Sequence, residues 1–246
     1  MDEIKHPKRG LDIESARNVR DLGGYSTEDG GCTQWGRFVR SGDMDQMTRA
    51  DQEKLIAYGI KSVIDLRMAH EIAAAPNVFA SSPAANFHIH DFWGDRFDKY
   101  RSAQKKAPPE VKLADLYCSG LDKSGFIMAD IMGTIADSAD NGFAFQCRSG
   151  KDRTGLVAAI LLAIAGVPDA TICADYALTA SFLKTSEDDQ FVDPTTPGFY
   201  QRGCAPETMA QTLAFLQENY SGVEGYLRHV GITDQQLLRI RAKFRD

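Results

Sequence analysis

The residues best suited to chemistry stand together in the run CRSGKDRTG, from Cys147 to Gly155. Five residues separate its cysteine from Arg153, and the run lies between a short apolar stretch and a longer one. A loop of this length between a strand and a helix can turn successive backbone N–H groups inward, forming an anion nest at the positive end of the helix. The spacing therefore predicts a phosphate-like ligand, with Cys147 at the base of its site.

Four residues of this loop have a distinct predicted role. Cys147 is the candidate nucleophile, because the dipoles and cations that bind an anion also favour the thiolate that attacks. Arg153, at the start of the helix, can set its planar guanidinium against two phosphate oxygens. Gly150 permits backbone angles that a side chain would forbid, and Thr154 can donate its hydroxyl to the departing sulfur. The site predicts phosphoryl transfer to sulfur followed by hydrolysis, with no metal and no other cofactor.

Arg148 and Ser149 contribute backbone to the nest, while their side chains either shape specificity or are simply solvated. The alternative is that Cys147 is only a buried thiol at the end of a strand. A cysteine and an arginine at this spacing occur together by chance in many chains. The preceding strand, the following helix and the Arg-Thr-Gly sequence at its start favour the functional interpretation.

The composition restricts the class of protein. Apolar residues make up 43 % of the 246 residues and charged residues 25 %, as in water-soluble globular proteins. A net charge of −6 argues against general nucleic-acid binding, which needs a surplus of basic residues. The five cysteines have no CxxC spacing, so they indicate neither a zinc site nor a disulfide framework. Without a signal peptide or an apolar run of roughly 20 residues, we expect a cytoplasmic protein with no transmembrane segment, and secretion without a classical signal stays an alternative.

Strands alternating with helices predict an α/β fold around a mainly parallel central sheet. The predicted strands are Lys61–Leu66, Asn86–Phe92 and Gly142–Gln146. The predicted helices are Arg49–Tyr58, one or two within Leu113–Asp137, Leu156–Ala165, Pro206–Tyr220 and Asp234–Phe244. Ser102–Lys112 and Thr185–Gly198 are predicted to be surface connections. Because no linker is convincing, residues 1–246 are interpreted as one domain with its core at about 18–245.

Several spaced motifs resemble a known family. CRSGKDRTG resembles the phosphate-binding loop of the protein-tyrosine phosphatase superfamily. The other motifs are NVRDLGGY at Asn18–Tyr25, GRFVRSG at Gly36–Gly42, VIDLR with Glu71 at Val63–Glu71, DYALTASFL at Asp175–Leu183 and APETM…FL at Ala205–Leu216. In this order, from about Asn18 to Arg245, they resemble the atypical bacterial tyrosine/serine and lipid phosphatases.

This resemblance implies a mainly parallel sheet of four to five strands flanked by helices, with a strand–phosphate loop–helix active site. It implies phosphotyrosine as substrate, often also phosphoserine or phosphothreonine, and in some members phosphoinositides. The partner is then a phosphorylated protein, a phospholipid or a small phosphoester. The Lys-Asp pair of the family corresponds to Lys151, a second cation for anionic substrates, and to Asp152, the general acid and then the general base.

One departure from the family concerns the residue before the cysteine, which is usually His and here is Gln146. Because Gln carries no charge, we expect a less activated nucleophile or, at the extreme, a non-catalytic phosphate-recognition module. A second open question is the general acid, since Asp91, Asp95 or Asp98 could serve instead of Asp152. Trp93, between them, would then act as a lid or as an aromatic contact for the substrate.

Two further groups have simpler interpretations. His88 and His90 would project from one face of a strand, but no third ligand completes a zinc site. The charged residues of the matching motifs are predicted to form buried ion pairs that hold turns and strand ends. These are Arg20, Asp21, Asp65 and Arg67.

Overall fold

A computed structural model describes residues 3–94, 113–183 and 204–245, and its centre is a five-stranded sheet. The strands are β1 (Arg20–Asp21), β2 (Phe38–Ser41), β3 (Ile60–Asp65), β4 (Asn86–Ile89) and β5 (Gly142–Gln146), in the order β1-β2-β5-β3-β4. Only β1 runs antiparallel, to β2, and the other neighbours are parallel. The predicted α/β fold with a mainly parallel sheet is confirmed.

Helices cover both faces of this sheet. They are α1 (Arg49–Ala57), α2 (Ala69–Ala74), α3 (Leu113–Lys123), α4 (Gly125–Asp137), α5 (Asp152–Ile164), α6 (Asp169–Leu183), α7 (Pro206–Tyr220), α8 (Val223–His229) and α9 (Asp234–Phe244). A short 3-10 turn spans Val78–Ser81. No helix within the described ranges is both long and apolar enough to cross a bilayer.

The central strand β5 shows why the core has two layers. Phe143 and Phe145 face the larger layer, which is built from α3 to α9, whereas Ala144 faces the smaller layer formed by α1 and the 3-10 turn. Every residue of β5 is buried, as expected for a parallel strand that is covered on both faces. The end of β5 therefore opens at the centre of one sheet edge, where ligand sites of α/β folds form.

Local sequence signals set most of the helix limits. Thr48 caps α1 by accepting from Asp51 N–H, and Thr233 with Gln236 forms the capping box of α9. The predicted helix Leu156–Ala165 begins earlier, at Asp152, because the polar residues of the loop form its first turn. Five elements of the structure were not predicted from the sequence: β1, β2, α2, α6 and α8. The predicted connections Ser102–Lys112 and Thr185–Gly198 lie outside the described residues.

The predicted strand Asn86–Phe92 ends three residues early, at Ile89. Asp91 begins a turn there, accepting from Gly94 N–H at 2.8 Å, and this bond takes the chain away from the sheet. Phe92 and Trp93 are buried by the helical layer instead. The apolar residues of this segment thus serve two different elements.

Candidate active site

The loop from Cys147 to Arg153, called the anion loop below, joins the end of β5 to the first turn of α5. Cys147 is 1 % exposed. Gly150 has φ +68°, and a Cβ atom there would stand 2.6 Å from the Ser41 carbonyl carbon. Glycine is required at this point both by the left-handed backbone and by the close approach of β2.

Two carbonyl groups of the anion loop accept hydrogen bonds from side chains outside the loop. Asn18 Nδ2 donates to the carbonyl oxygens of Ser149 at 3.1 Å and Gly150 at 2.8 Å. Arg40 Nη2 donates to the same Gly150 oxygen at 2.8 Å. The N–H groups of Arg148, Ser149 and Gly150 form no hydrogen bond to any other residue that the structure describes. Carbonyls fixed outward leave these N–H groups for an anion, which supports the predicted nest.

A buried ion cluster supports the loop from helix α6. Asp175 accepts from Arg40 Nη1 at 2.6 Å, from Arg20 Nε at 3.2 Å and from Tyr25 Oη at 2.9 Å. Burial opposes the charge of Asp175, but the two guanidinium groups hold the pKa of this carboxyl well below its usual range. Burial and the nearby Arg40 lower the pKa of Arg20 to about 10. Asp175 thus balances the arginine that holds Gly150.

The predicted ion pairs of the matching motifs are confirmed for Arg20, as above, and for Arg67, whose Nη2 lies 2.8 Å from Asp65 Oδ2. The prediction is wrong for Asp21. The Asp21 carboxylate instead accepts backbone N–H groups of Gly23 and Gly36 and the hydroxyl of Tyr58. It closes a turn, which is the usual use of a short carboxylate beside glycine.

Arg153 is oriented by Glu71 of helix α2. Its Nη1 and Nη2 lie 2.5 and 3.1 Å from the two carboxylate oxygens of Glu71, a bidentate contact. Burial alone would raise the pKa of Glu71, but the bonds from Arg153 and from Met68 N–H hold it below its ordinary value. Burial also opposes the charge of Arg153, yet the nearby Cys147 sulfur and Glu71 raise the pKa of the guanidinium. Arg153 therefore stays cationic beside the thiol.

Asp152 is the first residue of α5, and its side chain is 29 % exposed. Its Oδ1 atom accepts a hydrogen bond from Tyr117 Oη at 2.5 Å and lies 3.5 Å from Lys151 Nζ. The Lys151 side chain is only 4 % exposed. Lys151 therefore lies beside Asp152 and not on the wall of the pocket, and its substrate-binding role stays a prediction.

A pocket of about 280 Å³ opens over the anion loop. Its lining residues are Arg17, Met68, Glu71, Trp93, Leu113, Leu116, Arg148, Ser149, Asp152 and Arg153. One part of the wall is polar and belongs to the anion loop, whereas Trp93 and Leu116 belong to an apolar part. Arg17 and Arg148 are both exposed and add two cations. The pocket can therefore hold an apolar group attached to an anion.

Two buried side chains that flank the anion loop in sequence, Gln146 and Thr154, lack hydrogen-bond partners among the described residues. Thr154 Oγ1 is buried and has no partner within the described ranges, so the predicted bond to the Cys147 sulfur is not formed in this structure. Gln146 is fully buried, and neither its Oε1 nor its Nε2 atom has a partner there. Gln146 consequently gives the anion loop none of the hydrogen bonding that a polar side chain at this position can supply.

The alternative general acids are placed less favourably. Asp91 caps its turn and is not among the pocket residues, whereas Trp93 is. Asp95 and Asp98 lie outside the described residues. Of the two candidate aspartates that the structure describes, Asp91 and Asp152, only Asp152 lines the pocket.

Metal-binding side chains do not cluster in the described part of the chain, where no group of three His, Cys, Asp or Glu could hold an ion. His90 Nε2 lies 3.1 Å from Thr134 Oγ1, and His88 Nε2 is buried without a partner there. Burial lowers the pKa of both imidazoles. His88 lies on the edge strand β4, whereas His90 lies just beyond its end, so the two do not share a strand face as predicted.

Sequence reasoning missed the residues that hold the site from a distance. Asn18, Arg40 and Asp175 stood in the quoted motifs without a role, and the signal that could have found them was charge within segments destined for the core. Glu71 also stood in a quoted motif as a charged residue without a role. Nothing in the sequence marks Tyr117, because an aromatic residue at helical spacing is normally core.

Comparison with known proteins identifies the family. The model of the tyrosine phosphatase family matches residues 11–246, so this chain belongs to that family and is a cysteine-dependent protein-tyrosine phosphatase. A tyrosine-protein phosphatase of Nostoc commune is 30 % identical over 218 residues, which cover 84 % of this chain and 73 % of the relative. A triple specificity protein phosphatase, PtpB, of Mycobacterium tuberculosis is 24 % identical over 278 residues, which cover 94 % and 97 %. The predicted membership of the protein-tyrosine phosphatase superfamily is thereby confirmed.

Proposed function

We propose that this phosphatase hydrolyses phosphotyrosine and related phosphomonoesters through a phosphocysteine intermediate on Cys147. The observation that carries the proposal is the pocket itself, which joins the anion loop to the apolar side chains of Trp93 and Leu116. The polar part suits a phosphate dianion, and the apolar part suits an aromatic ring. Cys147 is the cysteine of this loop, at the end of β5, and it is the nucleophile of the proposal.

In the first step, the Cys147 thiolate attacks phosphorus, forming the S–P bond as the P–O bond to the leaving group breaks. The N–H groups of the anion loop and Arg153 bind the three equatorial oxygens, where charge accumulates. Glu71 orients the guanidinium for that contact. Asp152 transfers its proton to the departing oxygen, so that tyrosine leaves as the neutral phenol.

In the second step, water attacks phosphorus and its proton passes to Asp152, which now acts as the base. The S–P bond breaks, and its electron pair returns to sulfur as the thiolate. Inorganic phosphate leaves, and the enzyme regains its starting protonation state. Arg153 supports the charge in both steps because its position does not depend on the leaving group.

A second candidate substrate class is phosphoinositides and other multiply phosphorylated esters. The observation favouring it is the pair of exposed cations, Arg17 and Arg148, at the same pocket. They can hold a second phosphate outside the anion loop. The name of the mycobacterial relative, triple specificity phosphatase, is in keeping with a broad substrate range in this family.

A direct test is hydrolysis of para-nitrophenyl phosphate from about pH 5 to pH 8, with EDTA present and orthovanadate as inhibitor. Turnover that survives EDTA and is blocked by vanadate supports the proposal. Vanadate binding without turnover at any pH would favour the recognition module suggested by Gln146. A phosphotyrosine peptide and a phosphoinositide, compared by kcat/KM, then separate the two substrate classes.

The nucleophile is tested by Cys147→Ser, which should abolish turnover and leave vanadate or phosphate binding measurable. Cys118→Ser is the matched control, since burial raises the pKa of the Cys118 thiol to about 11 and Cys118 is not among the pocket residues. Phosphate trapped on the wild-type protein by rapid acid quench should map to Cys147. Activity retained in Cys147→Ser would rule out the intermediate.

A further inference from the structure

The structure assigns a positioning role to Tyr117, whose hydroxyl fixes one oxygen of Asp152 so that the other oxygen handles the proton of the reaction. The inference rests on the proposed role of Asp152 as acid and base. Tyr117 belongs to α3, far from the anion loop in sequence. It is not one of the residues that line the pocket, and it acts through Asp152.

The geometry is a short directional chain of hydroxyl groups. Tyr117 is fully buried, and its Oη donates to Asp152 Oδ1 at 2.5 Å. Tyr176 Oη lies 2.8 Å from Tyr117 Oη, and the two rings meet edge to face at 6.1 Å. Because Tyr117 gives its one proton to Asp152, Tyr176 is the donor in the second bond. Both hydroxyl dipoles thus point toward the Asp152 carboxylate.

This arrangement makes the two oxygens of Asp152 unequal. Oδ1 accepts from Tyr117 and lies 3.5 Å from Lys151 Nζ, while Oδ2 forms no hydrogen bond to the described residues. A proton on the carboxyl group therefore resides on Oδ2. Asp152 lines the pocket, so Oδ2 is the atom available to a leaving group or to water. Oδ2 gives up its proton in the first step and takes one from water in the second, and Tyr117 keeps its own proton throughout.

Burial explains why Tyr117 stays a donor. Removal from water, followed by the nearby Asp152 charge, raises the pKa of Tyr117 well above its ordinary value. A buried tyrosine normally finds a partner for its hydroxyl, and a backbone carbonyl suffices, as for Tyr226, which donates to Leu121 O at 2.9 Å. Tyr117 instead donates to a partly exposed carboxylate on the pocket wall. That choice of partner distinguishes positioning from simple packing.

The test is a double-mutant cycle of Tyr117→Phe and Asp152→Asn, measured on a phosphotyrosine peptide and on para-nitrophenyl phosphate. The peptide needs a proton for its leaving group, whereas nitrophenolate leaves readily without one. We expect Tyr117→Phe to lower kcat/KM on the peptide about tenfold and on the aryl ester less than about threefold. In the Asp152→Asn background the further loss on the peptide should be below about twofold.

A second readout is the pH profile of kcat. Loss of a hydrogen-bond donor disfavours the ionised carboxylate, which the second step needs as base. The ascending side of the profile should therefore move to higher pH in Tyr117→Phe. Tyr226→Phe also loses a buried hydroxyl, and it should change neither the profile nor the substrate ratio. Tyr176→Phe removes only the outer donor and should produce a smaller loss of the same kind, which keeps the test available if Tyr117→Phe does not fold.

The outcomes separate the role of Asp152 as acid from the role of Tyr117 in positioning it. If Asp152→Asn lowers activity equally on both substrates, the assignment of the acid fails and the role of Tyr117 fails with it. The role of Tyr117 alone is refuted if Asp152→Asn has a loss of kcat/KM that depends on the leaving group while Tyr117→Phe lowers kcat/KM equally on both substrates. The same conclusion follows if Tyr117→Phe lowers kcat/KM as much in the Asp152→Asn background as in the wild type. Turnover in Cys147→Ser would overturn the phosphocysteine mechanism independently of both.

Discussion

Replacing Asp175 by Asn should destabilise the protein and impair the anion loop at a distance. Asp175 is 1 % exposed and lies between two fully buried guanidinium groups, those of Arg20 and Arg40. Asparagine has nearly the same shape but no charge, and its NH2 group would face a guanidinium donor. Arg40 also donates to the Gly150 carbonyl, so a shift of Arg40 moves the loop.

The magnitude follows from the loss of one partner in a buried ion cluster. Removing one side of such a pair costs about 3–5 kcal/mol, because the remaining charge stays buried without compensation. For a chain of this size each kcal/mol lowers Tm by about 2–4 °C, so a fall of about 10 °C is expected. A displaced Gly150 carbonyl should lower kcat/KM by at least about tenfold, since small errors of position are costly in catalysis.

The assay is urea denaturation and thermal melting of Asp175→Asn, with kcat/KM measured well below its midpoint. Asp137→Asn is the matched control, since Asp137 pairs with Arg239 at 2.8 Å and is 55 % exposed. This control should lose less than about 1 kcal/mol and no activity. A loss of stability for Asp175→Asn as small as that of Asp137→Asn would show that the buried ion cluster does not stabilise the protein.

The pH dependence of this effect has a defined sign. The pKa of Asp175 is lower in the folded protein than in the unfolded chain. Its stabilising contribution is therefore present above the unfolded value of about 3.9 and declines as pH falls toward the folded value. The gap in unfolding free energy between wild type and Asp175→Asn should be constant near neutrality and should narrow below about pH 4. A gap that widened on acidification would contradict the assignment.

Three further substitutions test the neighbouring parts of the site. Glu71→Gln should lower kcat about tenfold with little change in vanadate affinity, because Arg153 keeps its charge but loses its bidentate partner, and equal losses in both would argue against orientation. Gly150→Ala should abolish turnover, because the left-handed backbone would be strained and the new Cβ would stand 2.6 Å from Ser41. Gly30→Ala is the control: φ is +87° there but the space around it is open, so this variant should lose about 1–2 kcal/mol of stability and no activity. Gln146→Met should raise the free energy of unfolding by about 1 kcal/mol, because an amide without partners is removed from the core, and a clear loss by urea titration would show that the amide is bonded.

The strand–loop–helix arrangement around Cys147 was predictable because it depends on contacts close in sequence. The strand β5, the anion loop and α5 follow one another directly, although distant side chains also hold the loop. The helix caps at Thr48 and Thr233 were predictable for the same reason, since each satisfies backbone groups only three residues away. The pattern of apolar residues likewise predicted β5 with its correct limits.

The sequence also left real alternatives that only position could decide. Asp91 and Asp152 are the same residue type, and nothing local in the sequence distinguishes a turn cap from a pocket carboxylate. The predicted ion pair of Asp21 was wrong because a buried carboxylate can be satisfied by backbone N–H groups as well as by a cation. Which partner is present depends on how the chain folds around it.

From the sequence alone, the family and the α/β architecture were predictable, and Cys147 could be proposed as the nucleophile. The tertiary structure was needed to show which distant side chains contact the anion loop and Asp152. Asn18 and Ser149 are 131 residues apart, Arg40 and Asp175 135, and Arg153 and Glu71 82. A buried charge or carbonyl needs a hydrogen-bonding partner in the core, but the sequence does not show which residue that partner is. Only packing brings α2, α3 and α6 to the end of β5 and makes that choice.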